Sequence, residues 1–265
     1  MFTYSINGGT TGILESTGFS TPRFSGQIRK RRGHIGRMPY SLNGEMELLP
    51  KTTAIRNTRQ ELVLCHFNGS NGATSWTEVH GANCASTSPS ALSTASPKFG
   101  SASVVCGPPA VDGDKDFTIT PSIDCNLADQ DWTIEFFIKT STTGAFDLWF
   151  VGSIRIEYTA EMAGIMVNLE GGGSISGSGA GAYAGVWTHI ALVRFGNRLL
   201  MFGAGIKIVD SESFSATSRV AHTDNLITAR SLFSQPTSVG IDEMRITRGH
   251  AYYTANFTPP SAPFS

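Results

Sequence analysis

The chain has 265 residues, and its 20 Lys and Arg nearly balance its 21 Asp and Glu, so the net charge is −1 at pH 7. Only 15% of the residues are charged and 29 are glycines, a composition that favours short strands joined by tight turns. No apolar run approaches the roughly 20 residues that a membrane-spanning helix needs. We therefore expect a globular β-rich protein without membrane insertion.

The first sixty residues differ from the rest of the chain in charge. Residues 1–60 contain nine Lys or Arg and three Glu, a net charge of +6, whereas residues 61–265 have a net charge of −7. This asymmetry predicts two parts, a basic N-terminal arm at 1–60 and a folded domain at 61–265. Glycines and prolines interrupt the arm, so we expect it to be extended. The residues expected to anchor it to a partner are Phe2, Tyr4, Ile6, Arg29, Lys30, Arg31, Arg32 and Arg37.

Three fates of the arm remain open at this stage. It can dock on an acidic neighbouring subunit through its arginines, with Phe2–Ile6 adding a strand or pairing with Glu47–Leu49. It can fold back on its own acidic domain, or it can stay a solvated tail. Nucleic acid is disfavoured as a partner, because no aromatic residues interleave with the basic cluster to stack on bases.

From Glu61 onward the apolar residues recur with a period of two, as in Ile134, Phe136 and Ile138. Runs of this kind, broken by Gly, Asn and Ser, predict antiparallel strands in a two-sheet sandwich. The glycine-rich stretch 171–185 is predicted to be a loop, and Thr217–Leu232 a short helix or turn. The residues expected in the core include Leu62, Leu64, Ile134, Phe136, Trp187, Leu192, Ile241 and Ile246.

The last twenty-five residues carry the most specific pattern in the chain. Its pieces are Ile241-Asp242-Glu243, Arg245-Ile246-Thr247-Arg248-Gly249, Tyr252-Tyr253-Thr254 and Phe257-Thr258-Pro259-Pro260. In order and spacing they resemble the closing segment of the concanavalin A-like, laminin-G-like β-sandwich domains of tailed-bacteriophage virion proteins. Four upstream segments are similar to earlier strands of that family, in the same order: Glu61–Trp76, Pro97–Val104, Asp131–Thr140 and Gly185–Phe202.

The resemblance implies an all-β, antiparallel two-sheet jelly-roll of the concanavalin A-like type after the arm. It also implies a structural protein of a phage tail or capsid, assembled in the host cytoplasm and oligomeric on the particle surface. The arm would contact other virion subunits, and the sandwich would face outward as a lectin-like module that binds host-surface glycans weakly. The rings expected to bind carbohydrate are Trp76, Trp149 and Tyr183. A decoration or joining protein without a ligand is the alternative, and a polysaccharide-degrading glycosidase is a weaker one.

The carboxylates disfavour the glycosidase. Such enzymes need two carboxyl groups at a set separation, which i and i+2 positions on one strand would supply. Asp242 and Glu243 are adjacent and should point to opposite faces, and Glu135 has no acidic neighbour on its strand. We therefore predict no catalytic residue and no enzymatic activity. One of Asp242 and Glu243 is expected to bond backbone donors, and the other to pair with Arg245 or Arg248. His189 is expected to be a hydrogen-bonded strand residue.

Metal and cysteine chemistry are weak signals in this chain. Asp112, Asp114 and Asp116 alternate and could supply oxygen ligands to Ca²⁺. The same Asp-Gly sequence is also a common hairpin turn, and no other cofactor is expected. The four cysteines, Cys65, Cys84, Cys106 and Cys125, match no zinc spacing. We expect them to be buried thiols, because a protein that assembles in a reducing cytoplasm rarely contains disulfides.

Overall fold

A computed structural model describes residues 2–6, 10–14, 58–107, 116–121, 123, 125, 127, 130–140, 145–150, 154–159, 164–169, 173–178, 185–212, 227–232 and 239–265. The chain divides into two units, Met1–Leu48 and Leu49–Ser265. Of the first unit the structure describes one hairpin. Among the described residues, no helix is both long and apolar enough to cross a membrane.

The described residues form eighteen strands. In chain order they are β1 (Phe2–Ile6), β2 (Thr10–Leu14), β3 (Gln60–Cys65), β4 (Ser75–Thr77), β5 (Asn83–Ser86), β6 (Ala91–Ser93), β7 (Ser103–Cys106), β8 (Phe117–Thr120), β9 (Trp132–Thr140), β10 (Ala145–Phe150), β11 (Ile154–Thr159), β12 (Gly164–Leu169), β13 (Gly173–Ser178), β14 (Thr188–Phe195), β15 (Arg198–Gly203), β16 (Ile206–Ser211), β17 (Ile227–Leu232) and β18 (Val239–Arg248).

Two antiparallel sheets build the second unit. Sheet I has the order β13-β12-β11-β10-β17-β8-β5-β4, and sheet II has the order β16-β15-β14-β9-β18-β7-β6. Strand β3 joins sheet II beside the C-terminal half of β18, whereas β7 pairs with the N-terminal half. The predicted all-β, antiparallel two-sheet sandwich is confirmed. Of the predicted arm, β1 pairs with β2 as a hairpin. Glu47–Leu49, the other segment expected to pair with it, lies outside the described residues.

The core lies between the two sheets because alternate residues of each strand point inward. Sheet II contributes Ile134, Phe136 and Ile138 from β9, and sheet I contributes Phe117 and Ile119 from β8. Seven of the eight core residues predicted from the sequence are buried. Six of them lie between the two sheets, whereas Leu64 packs with Phe137 and Phe264 on the outer face of sheet II. The eighth, Trp187, is only partly buried, because it lies on the opposite face of sheet II.

Part of the outer face of sheet II is covered by residues 249–265, which form no strand and which we call the C-terminal strap. Tyr253 and Phe257 of the strap stack with their ring centroids 3.6 Å apart and pack on Phe202 of β15. Phe264 packs on Phe137 of β9. The amide of Phe257 donates a hydrogen bond to the carbonyl of Gly205 at 2.9 Å. The sandwich therefore has a second, smaller apolar layer beneath the strap.

A β-bulge interrupts β18 between Asp242 and Arg245. Glu243 within it has a φ of 50°, a left-handed conformation that costs a non-glycine residue on the order of 1–3 kcal/mol. The bulge lies where the neighbour of β18 changes from β7 to β3. It makes both Asp242 and Glu243 buried side chains, so the simple alternation expected for two adjacent strand residues does not apply.

Two segments expected to lack strands contain them. The predicted glycine-rich loop includes β13, an edge strand of sheet I that pairs with β12. Gly177 in β13 allows a close approach, because a Cβ there would lie 2.6 Å from a methyl carbon of Val209. The predicted helix or turn at 217–232 includes β17, which pairs with β10 and β8. In both segments, pairing with neighbouring strands outweighs weak local propensity.

Candidate functional site

A buried polar cluster lies on the outer face of sheet II beneath the strap. Glu135 of β9 is fully buried and stands directly opposite Arg245 of β18. Its Oε1 accepts hydrogen bonds from Nε and Nη2 of Arg245 at 2.8 and 2.6 Å. Its Oε2 accepts from the hydroxyl of Tyr253 at 2.8 Å and from Nε2 of His189 at 3.0 Å. The prediction that His189 is a hydrogen-bonded strand residue is confirmed.

The partners of Glu135 keep it ionised. Burial alone would raise its pKa, but the hydrogen bond from His189 and the charges of Arg245 and His189 outweigh burial and lower the pKa. Burial and the neighbouring Glu135 raise the pKa of Tyr253, so its hydroxyl remains a donor. The two carboxylate oxygens of Glu135 thus accept four hydrogen bonds, so the charge of this buried group is fully compensated within the protein.

Asp242 and Glu243 are also occupied by internal partners. Oδ2 of Asp242 accepts hydrogen bonds from the backbone amides of Lys98 and Phe99 at 2.7 and 3.1 Å, as predicted for one acid of this pair. Oε2 of Glu243 bonds Nδ1 of His66 at 2.8 Å and accepts from the amide of Phe264 at 2.9 Å. The expected pairing of the second acid with Arg245 or Arg248 is wrong, because Arg245 binds Glu135.

These two arrangements explain the chemistry of the C-terminal motif. Arg245 holds Glu135, Asp242 holds the segment before β7, and Glu243 holds the strap. Burial raises the pKa of Asp242 to about 7, with the neighbouring Glu243 adding to the rise. All three carboxylates are buried and accept hydrogen bonds from protein donors. In this chain the charged residues of the motif therefore hold neighbouring segments of the fold in place.

An open groove lies on the same face, beside the strap-covered cluster. Its volume is about 170 Å³, and its lining residues are Ser93, Ala95, Ser96, Ser103, Val105, Lys139, Thr140, Trp187 and Gly240. Gly240 of β18 pairs with Lys139 of β9 on one side and with Val105 of β7 on the other. Because Gly240 has no side chain, the sheet is indented at this point and forms the floor of the groove.

Trp187 and Lys139 form one wall of the groove. The indole N–H of Trp187 donates to the carbonyl of Ser96 at 3.1 Å, and the edge of its ring lies 3.0 Å from where a Cβ of Gly240 would be. Nζ of Lys139 donates to Oγ of Ser96 at 2.7 Å and lies 5.9 Å from the centre of the Trp187 ring. The ring is thus held in a fixed orientation while part of it stays exposed. No carboxylate is among the lining residues.

The sequence interpretation assigned Trp187 to the core and so missed this groove. Two signals were available in the sequence. Gly240 interrupts the apolar run of β18, and a glycine inside a strand often marks a close approach by another group. Trp187 immediately precedes β14 in the same alternation as His189, and His189 lies on the outer face. The alternation places Trp187 away from the core between the sheets, and the glycine indicates a close approach by another group at that point of β18.

The structure does not support the predicted carbohydrate-binding role of Trp76. Its side chain is only 8% exposed and packs on Phe67 and Phe117, and its indole N–H donates to Sγ of Cys65 at 3.2 Å. The ring points into the core, so the expectation of an exposed aromatic is wrong there. Trp149 lies in β10, and its side chain is outside the described part of the chain. In sheet I, three strands lie between β10 and β4, the strand of Trp76. Tyr183 is also outside the described residues.

The predicted metal ligands and the anchoring arm are described only in part. Asp116 is 3% exposed and accepts a hydrogen bond from Oγ of Ser90 at 2.8 Å, whereas Asp112 and Asp114 lie outside the described residues. Within the described ranges, no group of three potential metal ligands occurs. Phe2, Tyr4 and Ile6 belong to β1, described by its backbone pairing alone. The basic residues Arg29, Lys30, Arg31, Arg32 and Arg37 lie outside the described ranges.

No family model and no curated protein matches the chain. Solved structures of botulinum neurotoxins do match it. The binding domain of botulinum neurotoxin DC in complex with rat synaptotagmin II has a TM-score of 0.51 at 12% identity, covering 73% of this chain and 49% of that one. Botulinum neurotoxin type C, which depends on two ganglioside molecules to enter cells, has a TM-score of 0.52 at 12% identity, covering 73% and 48%. The chain spans about half the length of these structures, and the likeness is one of fold.

Proposed function

We propose that this protein is a non-catalytic, glycan-binding module on the surface of a bacteriophage virion, and that the groove at Trp187 is its binding site. The observation that carries the proposal is the partly exposed indole of Trp187, fixed at the wall of an open groove whose floor is Gly240. A rigid aromatic ring beside an indentation suits stacking against the apolar face of a sugar ring.

The lining residues supply the polar contacts that a sugar needs. The hydroxyls of Ser93, Ser96 and Ser103 can exchange hydrogen bonds with sugar hydroxyls, and the ammonium group of Lys139 can pair with a sugar carboxylate. Lys139 is the only charged residue of the lining, on a domain whose net charge is −7. This local reversal of charge favours an acidic sugar over a neutral one.

Two further observations support a binding role without catalysis. Glu135, Asp242 and Glu243, the buried acids on this face of sheet II, are bound to internal donors. The neurotoxin domains that share the fold include one bound to synaptotagmin II, and neurotoxin type C interacts with gangliosides. Attachment to a cell-surface molecule is therefore compatible with a sandwich of this kind.

The virion assignment rests on the sequence. The closing motif at 241–260 resembles that of phage virion domains, and the basic arm precedes an acidic sandwich. In this proposal the arm contacts other virion subunits through Phe2, Tyr4 and Ile6 and through the cluster Arg29–Arg32. Deletion of residues 1–58 should leave a folded sandwich that no longer incorporates into particles. Incorporation at normal occupancy would show that the attachment surface lies on the sandwich.

The binding site can be tested with a glycan array followed by NMR titration of the full chain. We expect Trp187→Ala to weaken binding by about tenfold or more, which corresponds to about 1.4 kcal/mol. Phe195→Ala is the matched control, because it removes an aromatic ring that is 43% exposed at the last residue of β14, outside the groove lining. Lys139→Gln should weaken acidic sugars more than neutral ones. An array without any bound glycan, or binding that Trp187→Ala leaves unchanged, would contradict the proposal.

A further inference from the structure

One exposed loop of the sandwich, between β3 and β4, contains the dipeptide Asn-Gly twice. The two pairs are Asn68-Gly69 and Asn71-Gly72, and all four residues are exposed. In such a pair the glycine nitrogen can attack the side-chain amide of the asparagine, because glycine has no side chain that hinders the approach. Since the two pairs share this sequence, a difference in their reactivity must come from the groups that the fold places around them.

Ser101 bonds both reacting groups of the first pair. Its backbone N–H donates to Oδ1 of Asn68 at 2.7 Å, and its hydroxyl donates to the same oxygen at 3.1 Å. The hydroxyl also accepts from the backbone N–H of Gly69 at 3.2 Å. The amide lies close against Gly100, where a Cβ would collide with Oδ1 of Asn68. One hydroxyl therefore connects the attacking nitrogen to the oxygen of the amide that it attacks.

The reacting groups of the second pair are bonded to two separate backbone partners. The N–H of Gly72 donates to the carbonyl of Leu92 at 2.8 Å, and Oδ1 of Asn71 accepts from the N–H of Thr94 at 3.2 Å. A carbonyl oxygen accepts a hydrogen bond but has no proton of its own to pass on. The second pair therefore has the same dipeptide as the first without the connecting hydroxyl.

We infer that Asn68 is a site of self-catalysed deamidation, in which the hydroxyl of Ser101 relays a proton from Gly69 to the amide oxygen. In the folded protein Asn71 reacts much more slowly, because its groups lack that relay. The inference is independent of the proposed function, since none of Asn68, Gly69 and Ser101 lines the groove.

The reaction balances with water as its only co-reactant. The nitrogen of Gly69 bonds to Cγ of Asn68 while its proton passes to Oγ of Ser101 and the hydroxyl proton passes to Oδ1. The backbone N–H of Ser101 stabilises the charge that develops on Oδ1. The bond from Cγ to Nδ2 then breaks, the proton on Oδ1 passes to Nδ2, and ammonia leaves a succinimide. Water opens this ring at either carbonyl and gives aspartate or isoaspartate at position 68.

The products differ from the amide in charge and in backbone length. Either product adds one negative charge to the exposed loop, and isoaspartate also adds one backbone carbon before Gly69. Phe67, directly before the site, has a φ of 52° and packs on Trp76 and Phe117. A longer backbone disturbs this packing, so we expect the isoaspartate form to melt at a lower temperature. Because the change is irreversible and needs no enzyme, the modified fraction increases with the age of the protein.

Peptide mapping of aged protein tests the inference. The full chain is stored warm at mildly alkaline pH, sampled over weeks and digested for mass spectrometry, and fragmentation of the peptides assigns each amide that has become an acid. Asn68 should deamidate at least about tenfold faster than Asn71. Storage of the same chain in urea is the control, because unfolding removes the relay and keeps both dipeptides. The two asparagines should then react at similar rates, and Asn68 more slowly than in the folded protein.

Matched variants of the exposed Ser101 test the relay itself. Ser101→Ala removes the hydroxyl and should slow the reaction of Asn68 in the folded protein by about tenfold or more, with no change in urea. Ser101→Thr keeps the hydroxyl and should retain the reaction. Equal rates at Asn68 and Asn71 in the folded protein, a faster reaction of Asn68 in urea, or an unaltered rate in Ser101→Ala would each overturn the inference.

Discussion

The outer face of sheet II has two halves that differ in what covers them. In the first half, Glu135 and Phe137 of β9 lie beneath Tyr253 and Phe264 of the strap. Two residues further along the same strand, Lys139 lines the open groove. The alternation along β9 is continuous, so the strand itself does not distinguish the halves. The half that the strap covers holds the strap and sheet II together. The half that the strap leaves open is available to a ligand.

The largest expected effect comes from breaking the ion pair of the covered half. Glu135→Gln should lower the free energy of unfolding by about 3–5 kcal/mol, because it leaves Arg245 buried without its charged partner. Urea denaturation of the purified protein measures the change. Asp210→Asn is the matched control, since it breaks the exposed pair of Asp210 with Arg198 and Lys207 and should barely move the midpoint. Equal losses of unfolding free energy in the two variants would show that the ion pair in the covered half does not stabilise the fold.

The pH dependence of stability distinguishes the contribution of Asp242 from that of Glu135. The pKa of Asp242 is raised to about 7 in the folded state from an ordinary value of 3.8, so its protonation stabilises the fold in acid. That contribution is lost as the pH rises, by about 2 kcal/mol between pH 5 and pH 7. The pKa of Glu135 is lowered from 4.5, so its contribution is lost only in stronger acid. Asp242→Asn should flatten the stability profile between pH 5 and pH 7, and an unaltered slope would contradict this assignment.

Two glycines with similar backbone conformations test whether the contact between β15–β16 and the strap stabilises the fold. Gly205 and Gly196 have φ values of 79° and 60°, so alanine at either position should cost about 1–2 kcal/mol. A Cβ at Gly205 would also lie 2.1 Å from the carbonyl oxygen of Phe257, whereas one at Gly196 would meet open space. Gly205→Ala should therefore cost about 1–3 kcal/mol more than Gly196→Ala. It should also selectively expose the amide of Phe257 to hydrogen exchange, and equal exchange in the two variants would count against the strap contact.

The smallest effect on stability is expected in the open half. Gly240→Ala adds one methyl group to the groove floor, 3.0 Å from the ring of Trp187, and a small shift of this partly exposed ring relieves the contact. The free energy of unfolding should change by less than about 1 kcal/mol. Glycan affinity should nevertheless fall, because the methyl group fills the indentation and displaces the stacking surface. NMR titration with an acidic sugar measures this change, and undiminished affinity would place the ligand elsewhere.

The sequence alone determined the inner face of the sandwich. The period-two pattern of Ile134, Phe136 and Ile138 requires a strand with one apolar face, and burial of that face against a second sheet follows from the hydrophobic effect. The sequence also indicated that one acid of the pair Asp242 and Glu243 would bond backbone donors, but not which acid. The donors to Asp242 are the amides of Lys98 and Phe99, more than a hundred residues away. Of these two inferences, only the one about the inner face depends on one-dimensional periodicity alone.

Only the tertiary structure decided what the outer face does. The pattern of Glu135, Phe137 and Lys139 is the same whether the face is solvated or covered, and the strap that covers part of it comes from more than a hundred residues away. Trp76 lies in the three-residue strand β4 and Trp187 immediately precedes the eight-residue strand β14, yet the first ring points into the core and the second lines the groove. The bulge at Glu243 likewise lies where β18 changes partners between β7 and β3. Each outcome depends on which distant strands become neighbours, and the period of a single strand does not contain that information.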